Sequence, residues 1–160
     1  MNKQRIDKGK VARGGATKRK FPSRGSSWLV ANEMIKGRTL DYGCGYGLDA
    51  STYGWDSYDP YYKPVTLSGK YDTIVCTNVV SAVSRLNRSE ILKSIQHLLT
   101  EGGTAYIVVP RNLPPEGKLS GYNRRPQYNV VLTLDSVYSD ESIMIYKLVK
   151  DSVFRDTTLD

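Results

Sequence analysis

The 160-residue chain predicts an α/β fold with a mostly parallel sheet and a C-terminal antiparallel hairpin. Three observations carry this reading. Residues 71–77 (YDTIVCT) and 104–109 (TAYIVV) are short runs rich in Ile and Val, the composition of strands buried in a sheet. Between them, residues 87–100 carry an apolar stripe at helical spacing, and strands separated by helices pair in parallel through crossovers. The two last apolar runs, residues 128–134 and 143–149, flank a short turn around Ser139 and Asp140, which predicts the hairpin.

Residues 1–25 read as a flexible basic arm. The first 38 residues hold eleven Lys and Arg against Asp7 and Glu33, a balance of +9 within a chain whose net charge is +7. Cations interleaved with Gly, Ser and Thr cannot bury enough apolar surface to order the arm by itself. A polyanion is its natural partner, because each neutralised phosphate releases counterions. Lys18, Arg19, Lys20 and Arg24 in the arm, with Arg124 and Arg125 in a later loop, are the candidate nucleic-acid contacts.

The folded domain is expected over residues 26–150, with residues 151–160 as a frayed tail. Ser26 or Ser27 can cap a short helix carrying Trp28, Leu29, Ala31, Met34 and Ile35, which Gly37 ends. Residues 38–42 (RTLDY) form a strand that enters Gly43-Cys44-Gly45-Tyr46-Gly47, and a turn or two of helix follows. A second strand at residues 55–58 ends at Asp59-Pro60, and residues 61–69 lack any helical period. The clearest helix runs over residues 87–100, with Asn87 as cap, Glu90 three positions on, and Gly102-Gly103 as the stop. Residues 110–126 read as a long polar loop.

Composition excludes several classes. At 39% apolar and 24% charged residues the chain is globular, and no apolar stretch approaches a membrane span. Cys44 and Cys76 form no paired motif and His97 is the single histidine, so neither a disulfide framework nor a metal site is expected. A cytoplasmic location is the expectation.

A strand leading into Gly-x-Gly-x-Gly lets the backbone turn tightly, frees its N–H groups, and admits a ligand where a Cβ would stand. In open parallel sheets ligands sit beyond the carboxyl ends of the strands, and an acid closing the second strand can accept both hydroxyls of a ribose. Asp59 is that acid, 16 positions after Gly43.

Leu40-Asp41-Tyr42-Gly43-Cys44-Gly45-Tyr46-Gly47 resembles the first motif of class I S-adenosylmethionine-dependent methyltransferases, hydrophobic-Asp/Glu-x-Gly-x-Gly-x-Gly. Supporting matches follow in that family's order. Asp59 resembles the acid after its second strand, residues 71–80 its fourth strand and following loop, and Leu99-Thr100-Glu101-Gly102-Gly103 its turn into the fifth strand. Residues 41–49 with 55–62 also resemble a group of small bacterial and phage-type methyltransferase-like proteins.

The resemblance implies a minimal Rossmann-like fold and S-adenosylmethionine as cofactor. It implies that Asp41 fixes the loop and reaches the methionine amino group through its surroundings. Gly43, Cys44, Gly45 and Gly47 would line the methionine and ribose portions, and Asp59 would hold the ribose hydroxyls. Pro60 and Tyr61 would flank the adenine, while Thr77 and Asn78 would face the methionine end and the acceptor. A nicotinamide dinucleotide is the alternative cofactor; Asp41 before the glycines and the absence of G-x-G-x-x-G spacing favour the methyl donor.

The chain departs from the family in lacking a third strand and its flanking helix between Asp59 and Tyr71. Asp59-Pro60-Tyr61-Tyr62 also differs by position from the Asp-Pro-Pro-Tyr motif of amino-methylating DNA enzymes, which closes the fourth strand. Methyl transfer needs alignment and desolvation more than a dedicated base, so no catalytic residue is assigned. Tyr46, Asp49, Tyr62, Asn78, Arg111 and Asn112 are candidates at the mouth, and Cys76 reads as a core residue. Nucleic acid is the leading acceptor class, with a small molecule, a protein side chain, or an accessory role beside a partner subunit as alternatives.

Overall fold

The computed structural model describes residues 16, 18–120 and 125–159. Six strands form one sheet in the order β2-β1-β3-β4-β8-β7. β1 (Thr39–Tyr42) pairs in parallel with β2 (Asp56–Tyr58) on one side and with β3 (Tyr71–Thr77) on the other, and β3 pairs in parallel with β4 (Leu99–Pro110). β8 (Ile143–Val149) and β7 (Ser136–Ser139) complete the sheet antiparallel. A separate two-stranded ribbon joins β5 (Lys118–Ser120) and β6 (Arg125–Gln127). Residues 60–70 add no strand to the sheet, as the sequence implies.

Both sheet faces are covered, which explains the near-continuous apolar runs of the central strands. Ile74 and Cys76 of β3, Ala105, Ile107 and Val109 of β4, and Tyr146 and Leu148 of β8 face one core. Against it lies α3 (Arg85–Leu98) through Ile91, Leu92 and Ile95. Their neighbours Val75, Tyr106, Val108, Ile143 and Ile145 face the other core with Leu29 of α1 (Arg24–Ala31). The alternation is the period of two of a β-strand. α1 approaches closely because Gly25 has no side chain: a Cβ there would stand 2.8 Å from the Val108 methyls. Trp28 stacks on Tyr138 with ring centroids 4.6 Å apart.

Several elements differ from expectation. Ser23, not Ser26 or Ser27, caps α1, because its hydroxyl accepts from the Ser26 N–H and its own donors go to Asp49. The fold therefore begins inside the segment read as a flexible arm. α3 is capped at Ser84, and Asn87, expected as the cap, is buried within the helix. The helix stops at Leu98 and the chain passes directly into β4, so Gly102 and Gly103 belong to an irregularity of that strand. The first hairpin strand is residues 136–139, not 128–134.

The expected loop at residues 110–126 carries the β5–β6 ribbon. Residues 128–134 pair instead with the C-terminal segment, through an antiparallel bridge between Leu132 and Asp156 flanked by Thr133 N–H to Arg155 O (3.0 Å) and Thr157 N–H to Val131 O (2.8 Å). The last residues are thus docked where fraying was expected. Arg88 of α3 is the physical reason: it is 0% exposed, and its Nε donates to Asp156 Oδ2 at 2.6 Å. A buried guanidinium requires a counter-ion, and the C-terminal segment brings it.

Candidate functional site

The chain enters β1, runs outward to β2, and returns across β1 to β3, so the order of strands reverses beside β1. Crevices at such a switch point, beyond the carboxyl ends of the strands, are where open α/β sheets take ligands. There the sequence places Gly43, Cys44, Gly45 and Gly47, followed by α2 (Leu48–Tyr53). The three glycines hold φ of +81°, +58° and +86°, the left-handed region that side chains disfavour. The N–H groups of Gly43 and Cys44 both donate to Tyr58 O, at 2.7 and 3.0 Å, which ties the loop to the end of β2.

Asp59 locks the same junction. Its Oδ2 accepts the Gly45 N–H at 2.9 Å, and its Oδ1 accepts the N–H groups of Tyr61 and Tyr62 at 2.9 and 3.1 Å. Residues 59 and 63 exchange backbone hydrogen bonds, so Pro60, Tyr61 and Tyr62 form a closed turn. Three donors occupy most of the roughly four lone-pair sites of a carboxylate. Asp59, expected to serve a ribose, is first the residue that joins the glycine loop to the turn after β2.

Asp41 lies in β1 and is 3% exposed. Burial pushes its carboxyl from 3.8 up to about 8, with the nearby charges of Asp49 and Asp59 adding to the rise and Arg19 opposing it. Its surroundings therefore favour the protonated acid. Burial likewise raises Cys44 to about 12 and raises Cys76 further, so neither thiol is a nucleophile near neutrality.

Thr77 ends β3, and its Oγ1 is a buried hydroxyl with no hydrogen-bond partner. Asn78 follows with φ +56°, its N–H donating to Val108 O at 2.9 Å. Backbone strain of this sort concentrates at functional positions. Asp41, the glycines, Asp59, Pro60, Tyr61, Thr77 and Asn78 thus gather at the carboxyl edge of β1, β2 and β3.

The mouth candidates divide. Tyr46, 47% exposed, meets the Tyr62 ring at 4.7 Å. Asp49 is not a mouth residue: it is buried, accepting the Ser23 N–H (2.8 Å), the Ser23 hydroxyl (2.5 Å) and the Ser26 hydroxyl (2.7 Å). Arg111 and Asn112 donate to the carbonyls of Asp140 and Glu141, in the turn between β7 and β8. Of the expected nucleic-acid contacts, Lys18 lies 5.8 Å from the Tyr46 ring centre, Arg19 pairs with Asp49, Arg24 pairs with Asp140 at 2.6 Å, and Lys20 is exposed. Arg125 begins β6, and Arg124 lies outside the described residues. The partners Ser23 and Arg19 were not expected around the loop, since only folding brings them to Asp49. No helix among the described residues is long and apolar enough to cross a membrane.

No family model matches the chain, and no curated protein matches it in sequence. Among solved structures it is similar to the 1,6-didemethyltoxoflavin-N1-methyltransferase of Burkholderia thailandensis, which holds 1,6-didemethyltoxoflavin and S-adenosylhomocysteine. The TM-score is 0.52 at 15% identity, over 78% of this chain and 76% of that one. It is also similar to magnesium protoporphyrin IX methyltransferase from Synechocystis PCC 6803, with TM-score 0.48 at 15% identity, over 91% and 94% of the two chains. With its sheet order, its glycine loop at the switch point and the first of these likenesses, the chain has a Rossmann-like methyltransferase fold.

Proposed function

We propose that this protein binds S-adenosylmethionine at the glycine loop and transfers its methyl group to an acceptor. The observation that carries the reading is the buried Asp41 carboxyl, pushed upward by burial, two positions before a loop of three left-handed glycines. A neutral acid in that place ionises when a cation arrives, and the methionine portion of the cofactor carries an ammonium group. The residues present fit the group: the Thr77 hydroxyl is buried without a partner, and Asp59 keeps a lone-pair site for a ribose hydroxyl. The methyltransferase from Burkholderia, with the same fold, binds S-adenosylhomocysteine.

When bound, the cofactor supplies an electrophilic methyl on a sulfonium. The chain contributes position: Asp59 holds the loop against the turn after β2, Asp41 takes the positive end, and Thr77 and Asn78 border the acceptor. Alignment of this type lowers the barrier without a general base. The test is transfer of labelled methyl from S-adenosylmethionine to small-molecule, protein and nucleic-acid acceptor mixtures. Label in any class supports the enzyme; donor binding without transfer to any class supports an accessory role.

Nucleic acid is a second reading of the acceptor, supported by the +9 balance of residues 1–38. On that reading Lys18→Gln with Lys20→Gln weakens binding to a single-stranded oligonucleotide and flattens its salt dependence by about 1–2 in the logarithmic slope. An unchanged slope removes the arm from the interface.

A further inference from the structure

The glycine loop is covered by its own chain. The space beside each glycine, where a Cβ would stand, is taken by Val79 at Gly43 (2.4 Å), by Ala16 at Gly45 (3.2 Å) and by the Lys63 Cε at Gly47 (3.4 Å). Val79 packs on the core, whereas Ala16 belongs to the segment before α1. That segment crosses the loop and α2 in sequence: Ala16 against Gly45, the Lys18 ammonium above Tyr46, and the Arg19 guanidinium 3.7 Å from Asp49. Its fixed end is Ser23, held to Asp49 by its N–H and its hydroxyl.

Upstream of Ser23 the attachment is light. Phe21, the largest apolar residue there, is 77% exposed, and the Arg19 side chain is 38% exposed. Among the described residues before Ser23, Ala16 is the small apolar contact at the loop and the rest is exposed or partly exposed, so the closure rests on contacts that solvent competes for. Charge decides what it competes with. Asp41, Asp49 and Asp59 lie close enough to interact, and Arg19 is the cation facing Asp41 among the described residues. A ligand carrying its own ammonium brings the same charge to the same acids, and the two cations repel.

We propose that residues 16 and 18–20 form an autoinhibitory strap, latched by Arg19 on Asp49, that fills the cradle at Gly45 and leaves when a ligand places an ammonium group beside these acids. The proposal rests on the cofactor reading above. Strap and ligand exclude one another, so the latch sets the affinity for cofactor.

The test is limited trypsin digestion of the full chain, with cleavage after Lys18 and Lys20 read by mass spectrometry, paired with calorimetric titration of S-adenosylhomocysteine. The strap predicts that Arg19→Gln speeds both cleavages about threefold without ligand, the worth of one half-exposed ion pair. It predicts that the variant binds S-adenosylhomocysteine tighter by a similar factor, and that the ligand speeds cleavage of the unaltered chain. Equal cleavage of variant and unaltered chain overturns the latch. Binding with slowed cleavage overturns the strap alone, since the segment would then be closing over the ligand. Absence of calorimetric binding to either protein overturns the cofactor reading, and the competition with it.

Discussion

Both described ends of the chain dock through an arginine and an aspartate, in opposite ways. At the C-terminal side the guanidinium of Arg88 is wholly buried and Asp156 12% exposed, with Nε and Oδ2 at 2.6 Å, and Arg88 also donates to Val83 O at 2.8 Å. At the N-terminal side Arg19 is exposed to 38% and stands 3.7 Å from Asp49. The first pair is architecture, because removing one partner strands a desolvated charge. The second can open at smaller cost, because water solvates the freed Arg19, and Asp49, itself 2% exposed, keeps the donors of Ser23 and Ser26. The difference teaches that the carboxyl edge of the sheet, where the glycine loop lies, is bordered by the reversible end.

The largest break in this comparison is Arg88→Ala. It leaves Asp156 without its buried partner and frees residues 155–158 from residues 131–133, and urea denaturation is expected to show a loss of about 3–5 kcal/mol. A loss under about 1 kcal/mol would place the C-terminal segment with the reversible contacts.

Next in size is Asp41→Asn. The folded chain holds a proton on Asp41 up to about 8, whereas the unfolded carboxyl releases it near 3.8. Between those values the folded state binds the extra proton, so this contribution to stability falls as pH rises and is lost through pH 8. Asparagine removes the titration. The variant's advantage over the unaltered chain is therefore expected to grow by about 2–4 kcal/mol between pH 5 and pH 9, and the two to meet only below about pH 4, where the carboxyl is protonated in both states. Parallel stability profiles from pH 5 to pH 9 would contradict the burial of that acid.

A smaller effect is expected at the α1–β4 contact. Gly25→Ala places a methyl 2.8 Å from the Val108 methyls, and thermal unfolding is expected to report a loss of about 1–3 kcal/mol, restored in part by Val108→Ala. Arg19→Gln closes the series: its cost in stability is expected at about 0.5 kcal/mol or less, although it speeds cleavage of the strap.

The sheet was legible because its central strands are apolar on both faces and α3 repeats its apolar residues at Ile91, Leu92 and Ile95. The glycine loop was legible because left-handed turns leave glycines in sequence. What escaped the sequence is partnership across distance. Ser23 and Asp49 lie 26 positions apart, so nothing local marks Ser23 as the cap over Ser26 or Ser27. No local pattern marks Arg88 as buried, because its counter-ion Asp156 lies 68 positions on. Residues 136–139 (SVYS) lack the apolar signature of a strand because they form the sheet edge, whereas residues 128–134 have it and pair with the C-terminal segment. Asp59 reads in sequence as an acceptor for a ligand, yet the backbone donors of Gly45, Tyr61 and Tyr62 that occupy it have no signature in side-chain identity.

Calorimetric titration with S-adenosylhomocysteine at pH 6.5 and pH 8.5 tests the central claim most directly. Ionisation of Asp41 against the ligand's ammonium predicts micromolar binding that tightens with pH, releases a proton at the lower pH in buffers of different ionisation heat, and loses that release in Asp41→Asn. Absence of binding at both pH values, in Arg19→Gln as in the unaltered chain, would contradict a cofactor site at the glycine loop.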